Sequence, residues 1–287
     1  MSTQRSQKST GFSDIDLSRW KEYDDVILDS LWLLGPRDKT GSHVGDYWGN
    51  FIPQIPYQVL TRFTKRGDIV IDFFSGMGTT LIECKRLGRS GIGVEIDPVV
   101  AKRSVERINS AENPFNVRVA VLVGDSTKQH TANRVLAQFN EWGAAFADCI
   151  ILHPPYHNII PFSELEGDLS RVSTEAAFLD KVSLVARHAF DLLKPAGFIA
   201  LVIGDKYVDS QLVPLGFSCM QRCTDVGFVL KAINVKEILN NERGKGKNNN
   251  LWKYRALVGG FYLFKHEYVM IFRKPATRAK VPKGAAP

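Results

Sequence analysis

From residue 68 onward, short apolar runs alternate with segments that carry apolar residues at helical spacing. Runs of this length and composition are typical of buried strands. Strands that alternate with helices predict a mainly parallel sheet with helices on both faces. The runs lie at residues 69–74, 91–96, 117–123, 148–153 and 197–204. We therefore expect an α/β fold with a doubly wound, mainly parallel sheet.

The C-terminal part of the chain has a different pattern. Residues 228–236 and 267–274 are strand-like runs without a clear helix between them, which predicts a terminal antiparallel strand pair and a sheet of seven strands. The sequence has no internal repeat and no linker. We expect a single domain at 19–275, a disordered polar N-terminus at 1–18 and a basic flexible tail at 276–287.

The composition is that of an ordinary globular protein, with 44% hydrophobic and 23% charged residues. No apolar stretch approaches the roughly 20 residues that cross a bilayer, and the N-terminus lacks the apolar core of a signal peptide. We therefore expect a cytoplasmic location. The four cysteines, at 84, 149, 219 and 223, have neither disulfide-framework nor metal-site spacing, so reduced core thiols are expected and no metal.

A formal net charge of +7 favours a polyanionic partner. The charge is concentrated in "RGKGKNNNLWKYR" at 243–255, where basic side chains alternate with Gly, Asn and aromatic residues and no acid intervenes. This pattern predicts a flexible cationic loop, which is either merely solvated or in contact with nucleic acid. The candidate phosphate contacts are Arg243, Lys245, Lys247, Lys253 and Arg255.

Two glycines follow the first strand of the alternating pattern. In "VIDFFSGMGTT", Gly76 and Gly78 stand between a buried strand that ends at Asp72 and a helix expected to begin near Thr79. Glycine at such a corner permits unusual dihedral angles and a close approach of a ligand. On its own, the pattern is equally typical of an ordinary tight strand–helix turn.

Acidic residues end three successive predicted strands. Asp72 ends the first, Glu95 and Asp97 the second, and Asp125 the third. Carboxylates at this edge can accept hydrogen bonds from ribose hydroxyls and from an adenine edge, but they would repel a pyrophosphate. A nucleoside with a cationic sulfonium, S-adenosylmethionine, is therefore the preferred ligand. NAD is the main competitor, although "GMGTT" lacks the third glycine of its fingerprint.

The fourth strand ends in "HPPY". Two prolines restrict His153, Pro154 and Pro155 to few conformations and offer no backbone donor. The Pro154 carbonyl and the His153 ring can then accept hydrogen bonds, and Tyr156 offers a stacking face, as a flipped base with an amino group would require. The alternative is a rigid loop in which the tyrosine only packs. Residues 157 and 158 follow, and they could touch a target strand or only cap a helix.

At this point the sequence resembles a known family. "DFFSGMGTTLIECKRLGRSGIGVEIDP" together with "LHPPYHNI" is similar to the DNA amino-methyltransferases that modify adenine N6 or cytosine N4, a family that includes enzymes of restriction-modification systems. The likeness extends from about Trp48 to Lys274. It implies S-adenosylmethionine as cofactor, double-stranded DNA as partner and His153, Pro154, Pro155 and Tyr156 as the catalytic motif.

The resemblance also implies roles for the other candidate residues. It places Glu95, with Asp97 nearby, at the ribose, and Asp125 at the adenine. The methionine end of the pocket would be shaped by Asp72, Phe74, Gly76, Gly78 and Thr79. A further cofactor-binding segment is expected in "YWGNFIPQIP", with Tyr47, Asn50, Phe51 and Pro53 as candidates. Recognition of DNA is expected at 205–265. The segment "FKHEYVMIF" resembles the last strand of the family, and His266 and Glu267 at its start are expected to pair only locally.

His153 departs from the family, which normally has Asp, Asn or Ser at this position. A histidine accepts a hydrogen bond only when it is neutral. The enzyme could be active with a neutral imidazole, could act on a different base, or could be inactive and only bind DNA. Since a model histidine titrates near pH ~6.5, we expect turnover in the active case to fall as the pH drops through about 6.

Direct transfer to the amino nitrogen needs no covalent enzyme intermediate, and none of the four cysteines follows a proline, as cytosine C5 methylation would require. RNA and protein-glutamine methyltransferases share the Pro-Pro-Tyr corner and are the alternative enzymes. A catalytically inactive DNA-binding relative is the alternative without chemistry. The residues leave adenine N6 and cytosine N4 equally open.

Overall fold

An eight-stranded sheet forms the centre of the protein in the computed structural model, which describes residues 9–239 and 249–276. Its strand order is β1-β9-β10-β6-β5-β2-β3-β4. A separate hairpin pairs β7 with β8. The strands are β1 (Leu31–Trp32), β2 (Ile69–Asp72), β3 (Ser90–Glu95), β4 (Val119–Val123), β5 (Ala147–Leu152), β6 (Leu193–Ile203), β7 (Lys206–Val208), β8 (Gln211–Val213), β9 (Val229–Glu237) and β10 (His266–Arg273).

Strand direction confirms the predicted architecture. β2 pairs in parallel with both β3 and β5, and the parallel pairs continue to β4 on one side and β6 on the other. β10 is antiparallel to β6 and to β9. Together these form the expected seven strands, with a doubly wound core and an antiparallel pair. The eighth strand, the two-residue β1 at the edge beside β9, was not predicted.

Helices cover both faces of the sheet. They are α1 (Gln54–Phe63), α2 (Thr79–Leu87), α3 (Pro98–Ser110), α4 (Gln129–Trp142), α5 (Glu175–Leu192), α6 (Leu215–Val226) and α7 (Asn249–Gly259). Successive residues of a strand point to opposite faces. Thus Ile150 and Leu152 join the core beneath α4, α5 and α6, whereas Cys149 and Ile151 join the core beneath α1. Leu81 of α2 packs with Ile108 of α3 in a third cluster.

The order of connections creates a switch point between β2 and β5. From β2 the chain proceeds to β3 and β4 on one side, and from β5 it proceeds to β6 on the other. Connections therefore leave the two neighbouring strands in opposite directions, which opens a crevice beyond their carboxyl ends. Both motifs identified in the sequence follow these two strands.

The segment between β9 and β10 contains a helix that the sequence analysis did not predict. We expected a flexible loop at 243–255 and no helix, but α7 begins at Asn249 and ends at Gly259. Leu, Lys, Arg and Ala are good helix formers, and Gly260 has a positive φ of 63° where the helix stops. Basic charge does not disfavour a helix, so the loop prediction was wrong for residues 249–255.

Residues 9–18, part of the expected disordered N-terminus, contact the domain. The Phe12 ring lies 5.0 Å from the Phe198 ring and 6.4 Å from the Phe63 ring. Asp14 accepts a hydrogen bond of 2.8 Å from the Arg89 guanidinium. An aromatic residue and an acid within a polar segment are enough to anchor it, so for these residues the expectation was wrong. Residues 1–8 and 277–287 of the two predicted tails lie outside the described residues.

The four cysteines are buried and unpaired, as expected. Among the described residues, no helix combines the length and apolarity needed to cross a membrane.

The Phe12 contacts predict a measurable contribution to stability. Phe12→Ala should lower the free energy of unfolding by roughly 2 kcal/mol, about half of what a fully buried phenylalanine contributes. Urea denaturation followed by tryptophan fluorescence measures the change. Trp20→Ala is the control in the same segment, because Trp20 is 62% exposed and its loss should change stability by less than about 0.5 kcal/mol. Equal effects of the two substitutions would contradict the anchoring of this segment.

Candidate active site

A cavity of about 1000 Å³ opens at the carboxyl ends of the parallel strands, at the switch point. It contains most of the side chains that the sequence singled out. Asp72, Gly78 and Pro53 lie outside its wall. The predicted residues that line it are Tyr47, Asn50, Phe51, Phe74, Gly76, Thr79, Glu95, Asp97, Asp125, His153, Pro154, Pro155 and Tyr156.

The glycine corner joins β2 to α2. Gly78 has a φ of +79°, and a Cβ atom there would lie 2.7 Å from Ile108 Cδ1, so only glycine fits without strain. Asp72 stands behind the corner: its Oδ1 accepts from the Phe74 backbone N–H at 2.9 Å, and its Oδ2 accepts from the Thr80 hydroxyl at 2.5 Å. Asp72 therefore fixes the turn rather than facing the cavity. Burial raises its pKa to about 6.

Glu95 connects the glycine corner to the next strand. Its Oε2 accepts from the Gly76 N–H and its Oε1 from the Asp97 N–H, each at 2.9 Å. Burial raises the pKa of Glu95 to about 7. Each oxygen keeps a second lone pair, so the oriented carboxyl group can still accept from a ligand. Asp97 caps α3 by accepting from the N–H groups of Val99 and Val100.

One atom of Asp125 and one atom of Asn50 are among the buried polar atoms of the cavity wall that lack a hydrogen-bond partner within the described residues. Asp125 Oδ1 accepts from the backbone and the hydroxyl of Thr127, but its Oδ2 has no donor. Asn50 Oδ1 accepts from the Thr79 hydroxyl at 2.6 Å, but its Nδ2 has no acceptor. Buried polar groups are almost always satisfied. An amino group near Asp125 and an acceptor such as a carboxylate near Asn50 would satisfy both, as S-adenosylmethionine can.

The segment before α1 covers the cofactor half of the cavity. The Tyr47 ring lies over the glycine corner, with its Cε1 3.7 Å from where a Cβ on Gly76 would be. Burial, and then the carboxylates of Glu95 and Asp97, raise the pKa of Tyr47. Asp46 pairs with Arg107 of α3 at 2.8 Å and ties the segment to the domain. Pro53 is buried directly before α1, at the end of this segment.

The proline corner follows β5 and faces the same cavity. The His153 ring lies 4.8 Å from the Phe51 ring and 5.8 Å from the Tyr156 ring. Within the described residues, neither its ring nitrogens nor the Pro154 carbonyl has a hydrogen-bond partner, whereas the Pro155 carbonyl accepts from the His157 N–H at 2.8 Å. The His153 ring and the Pro154 carbonyl thus have no competing hydrogen bond from this part of the chain.

The expected pH range for His153 was wrong. Burial lowers its pKa to about 4, because the enclosed site disfavours the imidazolium. We had used the value of a solvated histidine. The imidazole is thus neutral, and able to accept a hydrogen bond, at any pH well above 4.

A buried ion pair lies behind Tyr156, and it was not predicted from the sequence. The Tyr156 hydroxyl donates to Glu267 Oε2 at 2.5 Å, and Lys236 Nζ donates to Glu267 Oε1 at 2.9 Å. We expected Glu267 to pair only locally, but its partners are 111 and 31 residues away. The sequence did contain an indication of this contact, because the last strand was predicted to be antiparallel. The first residues of such a strand lie at the edge where the parallel strands end.

The loop that contains Phe162 and Asp168 also lines the cavity, and it was not predicted from the sequence. Phe162 lies 6.2 Å from the Tyr47 ring and lines the cavity. Asp168 shapes this loop by accepting from Ser163 and Ser170. Such contacts between loops leave no periodic pattern in a sequence.

His157 is structural and does not face a ligand. It is buried, its Nε2 lies 2.7 Å from the Val172 carbonyl, and its Nδ1 lies 2.6 Å from Lys206 Nζ. Nε2–H therefore donates to Val172 and Nδ1 accepts from Lys206. The sequence left open a contact between His157 and a target strand, and this interpretation was wrong because the side chain is buried.

Among the predicted phosphate contacts, Lys253 and Arg255 are exposed on α7. The Arg255 guanidinium lies 5.1 Å from the centre of the Trp252 ring. Arg243, Lys245 and Lys247 lie outside the described residues.

The low pKa of His153 can be tested directly. In ¹³C-histidine NMR, the His153 signal should keep the shift of a neutral imidazole from pH 8 down to about 5, because protonation waits until about pH 4. The His153→Asn variant assigns the signal. Free histidine in the same buffers is the control and should titrate in the ordinary range. Titration of His153 near pH 6.5 would contradict its desolvation.

Comparisons with known proteins relate part of the chain to one family. Residues 2–106 match the model of the N6/N4 methyltransferases, described as "DNA methylase". The match includes the glycine corner and Glu95 but ends before β5, so it does not include the HPPY motif.

Two curated relatives support the same family. The type II methyltransferase M.MjaII of Methanocaldococcus jannaschii is 44% identical over 69 residues, which are 23% of this chain and 13% of that protein. The type II methyltransferase M.HpaI of Haemophilus parainfluenzae is 38% identical over 65 residues, 22% of this chain and 21% of that protein. The chain thus spans about a fifth or less of the length of these relatives.

Among solved structures, TrmN from Thermus thermophilus is similar over 78% of this chain and 49% of its own, with 18% identity and a TM-score of 0.49. The fold class itself follows from the sheet order described above, which is Rossmann-like. Residues 2–106 are thus similar in sequence to the N6/N4 DNA methylase family, and shorter stretches of the chain are similar to two type II methyltransferases.

Proposed function

We propose that the protein is a site-specific DNA methyltransferase that moves the methyl group of S-adenosylmethionine to an exocyclic amino group, adenine N6 or cytosine N4, of a flipped base. One observation carries the proposal: the acid-lined glycine corner and the proline corner open into a single cavity. A cofactor at the first corner and a base at the second would therefore meet. A DNA substrate also implies a compartment that contains DNA, which we take to be the cytoplasm.

The cofactor half would hold the nucleoside by its carboxylates. Glu95 would accept from the ribose hydroxyls, because its two oxygens are already oriented by backbone donors. Asp125 Oδ2 would accept from the adenine amino group, and Asn50 Nδ2 would donate to the methionine carboxylate. When bound, S-adenosylmethionine supplies an activated methyl group next to a cationic sulfur, which suits a cavity half that presents carboxylates.

The base half would orient an amine that is a poor nucleophile, because its lone pair is delocalised into the ring. His153, as a neutral imidazole, and the Pro154 carbonyl would accept one amino hydrogen each. Tyr156 would stack on the base, and the Phe51 ring packs against His153. Holding the amine in this way favours its tetrahedral form and places it for in-line attack.

Basic residues on and before α7 support DNA as the substrate. Lys253 and Arg255 are exposed, and the nearby aromatic side chains Tyr254 and Tyr262 are 65% and 85% exposed. Exposed cations with aromatic surfaces match the chemistry of a nucleic acid, with its phosphates and bases. We assign this region to DNA contact, together with Arg243, Lys245 and Lys247.

Incubation with methyl-labelled S-adenosylmethionine and duplex DNA tests the proposal. Nucleoside mass spectrometry should detect either N6-methyladenine or N4-methylcytosine, and His153→Ala should abolish the product. Asp125→Ala should instead raise the KM for the cofactor, since it removes a binding contact. RNA of matched sequence and a glutamine peptide are the alternative substrates. Methylation of either one, or of no substrate, would refute the DNA assignment.

The close packing of Tyr156 against Gly204, the residue after β6, gives a second prediction. A Cβ on Gly204 would lie 2.9 Å from Tyr156 Cε2, so Gly204→Ala should displace the stacking ring. We expect kcat to fall at least tenfold, about 1.4 kcal/mol in transition-state stabilisation, while the Kd for S-adenosylmethionine measured by calorimetry stays unchanged. Loss of cofactor binding, or full activity, would contradict the role of the ring.

A further inference from the structure

We propose that Glu267, held by Lys236, is a positioning residue of this site: it orients Tyr156, and its charge stabilises the imidazolium that forms when His153 takes the proton of the methylated amine. The inference rests on the proposed function. It assigns a task to a buried ion pair that directly opposed residues of β9 and β10 form.

The geometry places the Glu267 carboxylate between two donors. One oxygen accepts from the Tyr156 hydroxyl and the other from Lys236 Nζ. The side chains of Lys236 and Glu267 are only 7% and 10% exposed, so the protein rather than water sets their orientation. Both residues reach the cavity wall. A change at Glu267 therefore acts on the ring that would stack the base.

The same carboxylate acts on His153. The charged groups that influence this histidine among the described residues are Glu267 of β10, which favours the imidazolium, and Lys236 of β9, which opposes it. Tyr156 is its titratable neighbour on the same loop, and Phe51 contributes only an apolar ring. Lys236 lowers the pKa of Glu267 against the effect of burial. The carboxylate is therefore charged at neutral pH.

The proposed reaction requires this negative charge while the methylated amine loses its proton. As the amine nitrogen bonds to the methyl carbon, the carbon–sulfur bond breaks and its electron pair stays on the sulfur. The nitrogen then carries a positive charge and loses one proton, which His153 accepts before passing it to water. An imidazolium in a desolvated site is costly. A fixed carboxylate nearby offsets that cost, and it makes a neutral histidine workable where related enzymes have an acid or amide.

Glu267→Gln separates charge from hydrogen bonding. The amide oxygen can still accept from the Tyr156 hydroxyl, but the negative charge is gone. We expect kcat to fall by roughly tenfold to a hundredfold, within the contribution of proton transfer, with the KM for S-adenosylmethionine unchanged. The pKa of His153, followed by ¹³C-histidine NMR, should fall below its value in the wild type. Tyr156→Phe keeps the carboxylate and should leave the His153 titration in place.

Two further variants make the result independent of folding defects. Lys236→Met/Glu267→Gln removes both charges together, so no unpaired ion stays buried, and it should have the low kcat of Glu267→Gln. Asp148→Asn is the matched control, because Asp148 also pairs with a lysine, Lys194, but at the start of β5, the opposite end of the strand that leads to His153. It should retain wild-type kcat and His153 titration.

The outcomes distinguish this inference from the proposed function. If the wild type methylates DNA and Glu267→Gln matches Asp148→Asn in both kcat and His153 titration, the inference is overturned and the function stands. If the wild type methylates no amino group, the proposed function fails and this inference fails with it. A lowered kcat together with a lowered His153 pKa in Glu267→Gln supports the inference.

Discussion

The divergence of β2 and β5 at the switch point is the constraint from which the site is built. The two strands are hydrogen-bonded neighbours, but their connections cover opposite sides of the sheet. The turn after β2 needs glycine, because a side chain at Gly78 would collide with Ile108. The turn after β5 is restricted by two prolines. Since both turns begin at adjacent strand ends, a ligand at one lies next to a ligand at the other.

The two halves of the cavity stabilise their buried carboxyl groups in different ways. In the cofactor half, the carboxyl groups of Asp72 and Glu95 are buried and have no cationic partner among the described residues. Burial raises the pKa of Asp72 to about 6 and that of Glu95 to about 7. Backbone and hydroxyl donors stabilise them instead. In the base half, the buried Glu267 is paired with Lys236 and its pKa is lowered. The first half is therefore suited to receive a cation, whereas the second keeps a charge that a ligand need not neutralise.

Much of this arrangement could be predicted from the sequence because it depends on local patterns. The apolar runs predicted β2 to β6, the glycines predicted the start of α2 at Thr79, and the acids at strand ends predicted where Glu95 and Asp125 would lie. What was missed depends on contacts between distant residues. Glu267 looked like a local partner of its neighbours, and its pairing with Tyr156 arises only because β10 runs antiparallel. The helix α7 was missed because we took its basic residues as evidence of a loop.

His153 shows why a motif cannot be read without its surroundings. In isolation, replacement of an acid or amide by a histidine indicates a site that loses function in mild acid. Half-buried against Phe51 and Tyr156, the same ring is a neutral acceptor down to about pH 4. Its low pKa also makes it a weak base, which by itself would hinder removal of a proton from the product amine. In the proposed reaction, the Glu267 carboxylate compensates for that weakness from β10, which is separated from β5 by β6. An acid more than a hundred residues away in the chain then takes the place of the acid that is absent from the motif.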